Sequence, residues 1–476
     1  MHKKNNITLR IFAIILISSL LAPAMVSAKE KGKHKAHTKQ LQSSLLTAEE
    51  DNLLSNSNYS DRDEVRAFYG DKVRDKVVVI DVKKMELIAE VDTKGKIPYP
   101  VDRAGHLDKV YAITRGSKSM DVIDAETLEN IGQIRLKHKP RSGESYNSRL
   151  GLALIAGADK PLTSVIDVMR DRVVAEAGKN TYTTQTRDNG GTISSGHPAW
   201  LTKDRFVVID RANRLIELWG IEKVQHGNSL NYSWEVSYLD EVSTPTSVHH
   251  IIHRDLSQLS EDEKHEFYAL AEGSANKEIH PAILQLHLSE DNDQLSYITQ
   301  VKMDYFEGIN YDAKNMSSHH ADCHPDGEHI YAGSTEGHLF VINRKKMEIK
   351  EVIETGKGTG HTRFVPGEDL AVVTNHKDTF VTVINTKAHE KIKDITVSDE
   401  PIHDGDEILQ SHTNYVSSDS KFYYAFASDN GVFYELNLKK LAISRSLHIQ
   451  GAVPVQGCFM NSDNFSYSAT HSSTGM

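Results

Sequence analysis

Five stretches of this sequence repeat one pattern. They are KVVVIDVKKMELIAEV, KVYAITRGSKSMDVIDAETLENIGQI, HIYAGSTEGHLFVINRKKMEIKEVI, DLAVVTNHKDTFVTVINTKAHEKIKDI and KFYYAFASDNGVFYELNLKKLAISRSL. Each reads as short β-branched or aromatic runs separated by Gly, Asn, Asp and Ser turns, most with a run that closes on Val-Ile-Asp or Val-Ile-Asn. Such a unit cannot bury its own apolar face, so it must stack against copies of itself. A period of about 40 to 50 residues with four strands per unit predicts an all-β chain folded as a single β-propeller.

Seven units run over Pro100–Leu136, Tyr146–Val174, Gly196–Tyr238, Ser247–Met303, Ser318–Ile353, Gly360–Ile395 and Ser411–Ile449. An eighth is split: Gln456–Tyr467 matches the start of a unit and Val77–Val91 the end of one. Pairing of the amino- and carboxy-terminal strands then closes the ring and removes its exposed edge. Eight blades is the expected count and seven the alternative; two separate β-sandwiches are disfavoured by the regular motif. Long amphipathic helices are missing, and the two helical candidates are around Gln40–Leu54 and an insertion at Ser257–Leu270.

Ahead of the repeats, Met1–Ala28 has the layout of a secretory signal. A basic start leads into the apolar run Ile11–Leu21 and a Val26-Ser27-Ala28 end with small residues. That run is shorter than the roughly 20 residues that span a bilayer. An uncleaved anchor is the competing reading. Residues 29–66 are polar and charged and read as a flexible tether, leaving 67–476 for the propeller. The mature chain is therefore expected in the periplasm or outside the cell, with no membrane span. A formal net charge of −11 argues against nucleic acid as a partner. Two cysteines cannot build a disulfide scaffold or a thiolate metal site, and Cys323 and Cys458 are expected as free buried thiols.

The chain has 25 histidines, and several share one register. His197, His320, His361 and His412 open the first strand of their units, and His249, His250 and His253 lie in the matching TSVHHIIHRD. The first strand of a propeller blade is the innermost, so these imidazoles from five successive blades should converge on the central channel. The other blades carry Pro100, Tyr146 and Gln456 at the aligned place, so a purely structural repeat residue is a poor explanation. Neutral imidazole binds copper, zinc, iron and nickel. The metal-ligand candidates are His197, His249, His250, His320, His361 and His412. Strand alternation puts Asp322 and His324 on the side of His320, and Arg363 and Asn414 occupy the place of Asp322 in the next two blades. Asp322, Arg363 and Asn414 are the catalytic candidates, able to orient imidazoles, hold a small anion or move a proton. His403, Asp404 and Asp406 form a second tier in a loop; His376 falls in a turn and His280 at a strand start. His226, His265, His287, His338, His389 and His448 read as surface residues.

The Val-Ile-Asp/Asn repeat, from about Val77 to Tyr467, resembles the YVTN-type propellers, the superfamily that includes the haem d1 domain of cytochrome cd1 nitrite reductases. The histidine register resembles that of the copper propellers, nitrous oxide reductase and thiocyanate dehydrogenase. In those, histidines of successive blades hold several copper ions at the hub. What the resemblance implies is a copper-binding oxidoreductase acting on a small molecule or anion, with a periplasmic electron-transfer partner. The chain departs from nitrous oxide reductase in having no Cys-rich cupredoxin and no hub histidines in its first two blades, which disfavours that reaction. A haem d1-type cofactor or another transition metal is the alternative; without Cys-x-x-Cys-His any haem would be non-covalent. A non-enzymatic YVTN propeller serving as a binding or surface scaffold is the runner-up. No G-x-S-x-G or H-E-x-x-H motif supports hydrolysis.

Overall fold

The computed structural model describes residues 65–104, 107–179, 195–227, 231–252, 260–398 and 408–460. The signal expected over 1–28, the tether expected over 29–66 as far as residue 64 with its helical candidate Gln40–Leu54, and His253, His403, Asp404 and Asp406 lie outside these residues. Val65 and Arg66, expected in the tether, belong to the propeller instead, since Val65 is buried and Arg66 opens a blade strand.

Eight four-stranded antiparallel sheets form an eight-bladed β-propeller, with a two-stranded hairpin (Tyr305–Phe306 and Ile309–Asn310) that meets the outer strand of blade 6. Blades 2 to 8 run over residues 98–135, 140–177, 199–243, 248–302, 321–354, 359–396 and 410–448. Blade 1 takes its innermost strand, Pro454–Met460, from the end of the chain, and its other three, Arg66–Asp71, Lys76–Asp81 and Glu86–Asp92, from the start. The count of eight and the split blade are thus both found, and the blade includes Arg66–Asp71 ahead of the expected Val77–Val91.

The strands differ because their surroundings differ. Blades stack face to face, so a central strand such as Leu370–Asn375 is buried on both faces and reads as a continuous apolar run. The outermost strand, as in Glu390–Thr396, meets solvent and is mostly polar, with Ile395 alone buried. The Val-Ile-Asp/Asn ending has a local cause. The side-chain oxygen of Asp124, Asn343, Asn385 and Asn437 accepts the backbone N–H three residues on, at 2.8 to 2.9 Å. This Asx turn leads into a positive φ at Leu128, Met347, His389 and Leu441. The repeated motif is the chemistry of the turn into the outer strand.

Some expectations fail. The helical insertion at Ser257–Leu270 is a single turn, Glu261–Lys264, followed by the blade strand Glu266–Ala271, whose apolar residues are packed between blades. Blade 3 begins at Pro140 rather than Tyr146. Both cysteines are free, but Cys323 is partly exposed and only Cys458 is buried. Among the described residues no helix is long and apolar enough to cross a membrane.

Candidate metal centre

Each blade lays its first strand along the axis, so the residues that start those strands approach one another. Because the second strand returns antiparallel, the residue after it lies at the same end of the blade. That position is Lys72, Arg115, Ala158, Arg211, Glu272, Ser334, His376 and Ser428 in blades 1 to 8. Two tiers of side chains therefore meet at one end of the hub.

In blades 6 to 8 they assemble four imidazoles. His320 precedes the strand Ala321–Cys323, His361 lies in Thr359–Phe364, His412 in Gln410–Val416, and His376 follows Leu370–Asn375. Ring centroids are 3.9 Å apart for His320–His361 and 4.2 Å for His376–His412. They are 5.0 Å and 5.3 Å from His320 to His376 and His412. One ring nitrogen each from His320, His376 and His412 lie within 4.8 Å of one another, close enough to share an ion.

The tautomer of His376 is set by the backbone. Its Nδ1–H donates to the Gln410 carbonyl at 3.0 Å, so Nε2 carries the lone pair, and that atom is buried with no hydrogen-bond partner. This carbonyl–imidazole pair is how metal-binding histidines are commonly oriented. His361 Nδ1 faces Asp322 Oδ1 at 3.4 Å, and the other Asp322 oxygen accepts the Thr362 N–H at 2.8 Å. Asp322 thus positions His361. Burial pushes the His376 pKa down to about 3. The His412 pKa falls well below its usual value through burial and through neighbouring His376 and His361. Both are neutral at pH 7, the form that ligates metal.

Gly360 makes room for this arrangement. A Cβ there would stand closer than 3.0 Å to His376 Nε2. Gly360→Ala is therefore expected to displace the imidazole, costing about 1–3 kcal/mol of stability and most of the metal affinity. Paired unfolding and metal titrations check it; unchanged affinity would show that His376 is not needed.

The remaining predicted ligands stand in a second group. His197 and His249 have centroids 4.8 Å apart, and His250 is 5.4 Å from His249. Protein groups engage the nitrogens of His249 and His250. His249 Nδ1–H donates to the His319 carbonyl at 2.6 Å, and its Nε2 accepts from Arg141 Nη2 at 2.9 Å. His250 Nε2–H donates to the Ala321 carbonyl at 3.2 Å, tying blade 5 to blade 6. The His197 and His249 pKa values are pushed well down, chiefly by burial; Arg141 adds to both, and each is a neighbour of another imidazole. His249 is 5.8 Å from His320, so the two groups adjoin.

Of the catalytic candidates, Asp322 meets His361. Arg363 is buried, and its charge acts on the Tyr423 phenol of blade 8. Asn414 is buried opposite Ala425. His324 packs on Phe364, 4.7 Å between centroids, rather than joining the imidazoles. His280 Nδ1 donates to the Met303 carbonyl at 3.2 Å. His389, expected on the surface, is buried and bonds the Tyr331 hydroxyl at 2.7 Å. Blade 3 also has a histidine just before its first strand, His138, but its Nε2 meets Ser164 Oγ of its own blade at 2.9 Å. Sequence reasoning gave His376, Arg115 and Arg141 no role. The signal for the first two is the position after the second strand.

No protein-family model matches the sequence, and no curated protein does. Solved structures do share its shape. Dihydro-heme d1 dehydrogenase NirN in complex with DHE aligns with a TM-score of 0.55 at 12% identity, over 85% of this chain and 76% of that one. Apo AztD from Citrobacter koseri gives 0.52 at 12% identity, over 83% of this chain and 98% of that one. A further Citrobacter koseri AztD structure gives 0.53 at 13%, over 83% and 97%. The fold is that of these propellers. At such identity the likeness concerns architecture alone.

Proposed function

We propose that the hub binds a transition-metal ion on His320, His376 and His412, with His361 as a fourth imidazole held by Asp322. The observation that carries this is the convergence of one ring nitrogen from each of His320, His376 and His412 within 4.8 Å, beside which the Nε2 of His376 is buried with no hydrogen-bond partner. The donor set is nitrogen only, which suits copper, and copper(II) heads the affinity order for divalent ions at such sites. The four rings lie within 3.9 to 6.4 Å of one another, a spacing that suits an ion better than a haem macrocycle. A copper ion there supplies one-electron redox chemistry. The chain itself holds the pKa values of His376 and His412 down, chiefly through burial, and orients His376 and His361 through Gln410 and Asp322. In this reading His197, His249 and His250 line the hub beside the ion. The protein is then a periplasmic or secreted copper propeller, an oxidoreductase acting on a small molecule.

Chelated full-length protein reloaded with Cu(II) and desalted should retain one ion per chain. Its electron paramagnetic resonance spectrum should show coupling to several nitrogens. Failure to retain any transition metal stoichiometrically would sink the metal reading and favour a non-enzymatic scaffold.

A further inference from the structure

We infer that the hub takes a small anion against Arg115, at the side of the channel formed by blade 2. Arg115 follows the strand Lys109–Thr114 and so holds in blade 2 the position that His376 holds in blade 7. Its guanidinium lies 3.8 Å from the Tyr99 ring centroid, and its Nε–H donates to the Arg141 carbonyl at 2.9 Å. The Tyr99 ring is in turn 6.2 Å from the His412 ring. Stacking and the Nε bond fix the plane of the fork. Both Nη groups are left without an acceptor among the described residues, and no described carboxylate pairs with the charge.

A fixed, partly buried guanidinium needs a counter-charge, and its planar fork matches two acceptor atoms of one anion. The chemical class is a small anion with two acceptor atoms, of formate or azide size. This deepens the metal reading by naming what would reach the ion, yet the contact with Arg115 requires no metal.

The test titrates formate and azide into metal-free and copper-loaded full-length protein at constant ionic strength, following heat and melting temperature, with metal content measured on the same samples. Wild type should show saturable binding in the metal-free state. Arg115→Met should weaken it at least about tenfold, the loss of a charge-assisted bond, with metal content unchanged. Arg115→Lys should fall between. If Arg115→Met does not fold, Tyr99→Leu, which removes the stacking platform, should weaken binding in the same direction. Equal affinity in the folded Arg115 variant, or no saturable binding in wild type, overturns the inference. Protein that binds anion but no metal overturns the metal reading alone; protein that binds metal but no anion overturns this one alone.

Discussion

Replacing His320 and His376 together with alanine should strip the purified chain of metal while its unfolding stays cooperative. The two rings come from adjacent blades, and their nitrogens belong to the one trio that lies within 4.8 Å. Loss of an outer partner of a ligand typically costs 10–100-fold in metal affinity, so loss of two ligands should exceed that. The fold should tolerate the change because neither ring belongs to an apolar core between blades. The hydrogen bond lost, from His376 to Gln410, contributes about 0.5–1.5 kcal/mol. Acid titration gives an independent readout. With its folded pKa pushed down to about 3, against about 6.5 unfolded, His376 binds protons more readily when the chain is open. Metal-free wild type should therefore lose stability as pH falls from about 6.5 towards 3, and the variant should lose less. Retained metal would move the site to the His197–His249 group, and loss of cooperative unfolding would make the pair structural.

Much of this architecture was legible because one turn is built identically around the ring. An Asp or Asn that closes a strand and accepts the N–H three residues on leaves the same letters in blade after blade. Where a strand is irregular the signal fails. The first strand of blade 3 changes register between Pro140 and Ser142 and again between Ser142 and Ser145. Such bulges break the two-residue period, and the start of that blade was accordingly placed six residues late. His320, His361 and His412 could be read because a first strand must run along the axis. His376 could not, since TNHKDT is an ordinary turn and nothing in its letters says which end of the blade it occupies. His249 and His250 share the register of the other histidines. Whether an imidazole is offered to an ion or held by a guanidinium and a carbonyl depends on neighbours far along the chain, 108 positions away for Arg141 and 70 for His319 in the case of His249.

Ending the chain at Val453 should abolish cooperative folding, although every ligand candidate is retained. The missing strand, Pro454–Met460, is buried along its whole length. Cys458 and Met460 enter the core shared with blade 2, while Phe459 enters the core shared with blade 8. Burial of Val455, Phe459 and Met460 alone contributes about 1.5–3 kcal/mol each, or about 5–9 kcal/mol together. A whole domain has only about 5–15 kcal/mol of stability. Removal also leaves Arg66–Asp71 with an open edge. A milder change tests the same closure. The Thr413 hydroxyl donates to the Gly457 carbonyl and accepts the Gly457 N–H, both at 3.0 Å, which joins blade 8 to blade 1. Thr413→Val should cost about 1–3 kcal/mol by leaving those groups unsatisfied. Denaturant unfolding of both proteins is the measurement. The strand packs between the first strands of blades 8 and 2, and so links the imidazole side of the hub to Arg115. A truncated chain that still melted cooperatively at the wild-type midpoint would mean that the blades hold together without their closing strand. The arrangement of the hub would then need another cause.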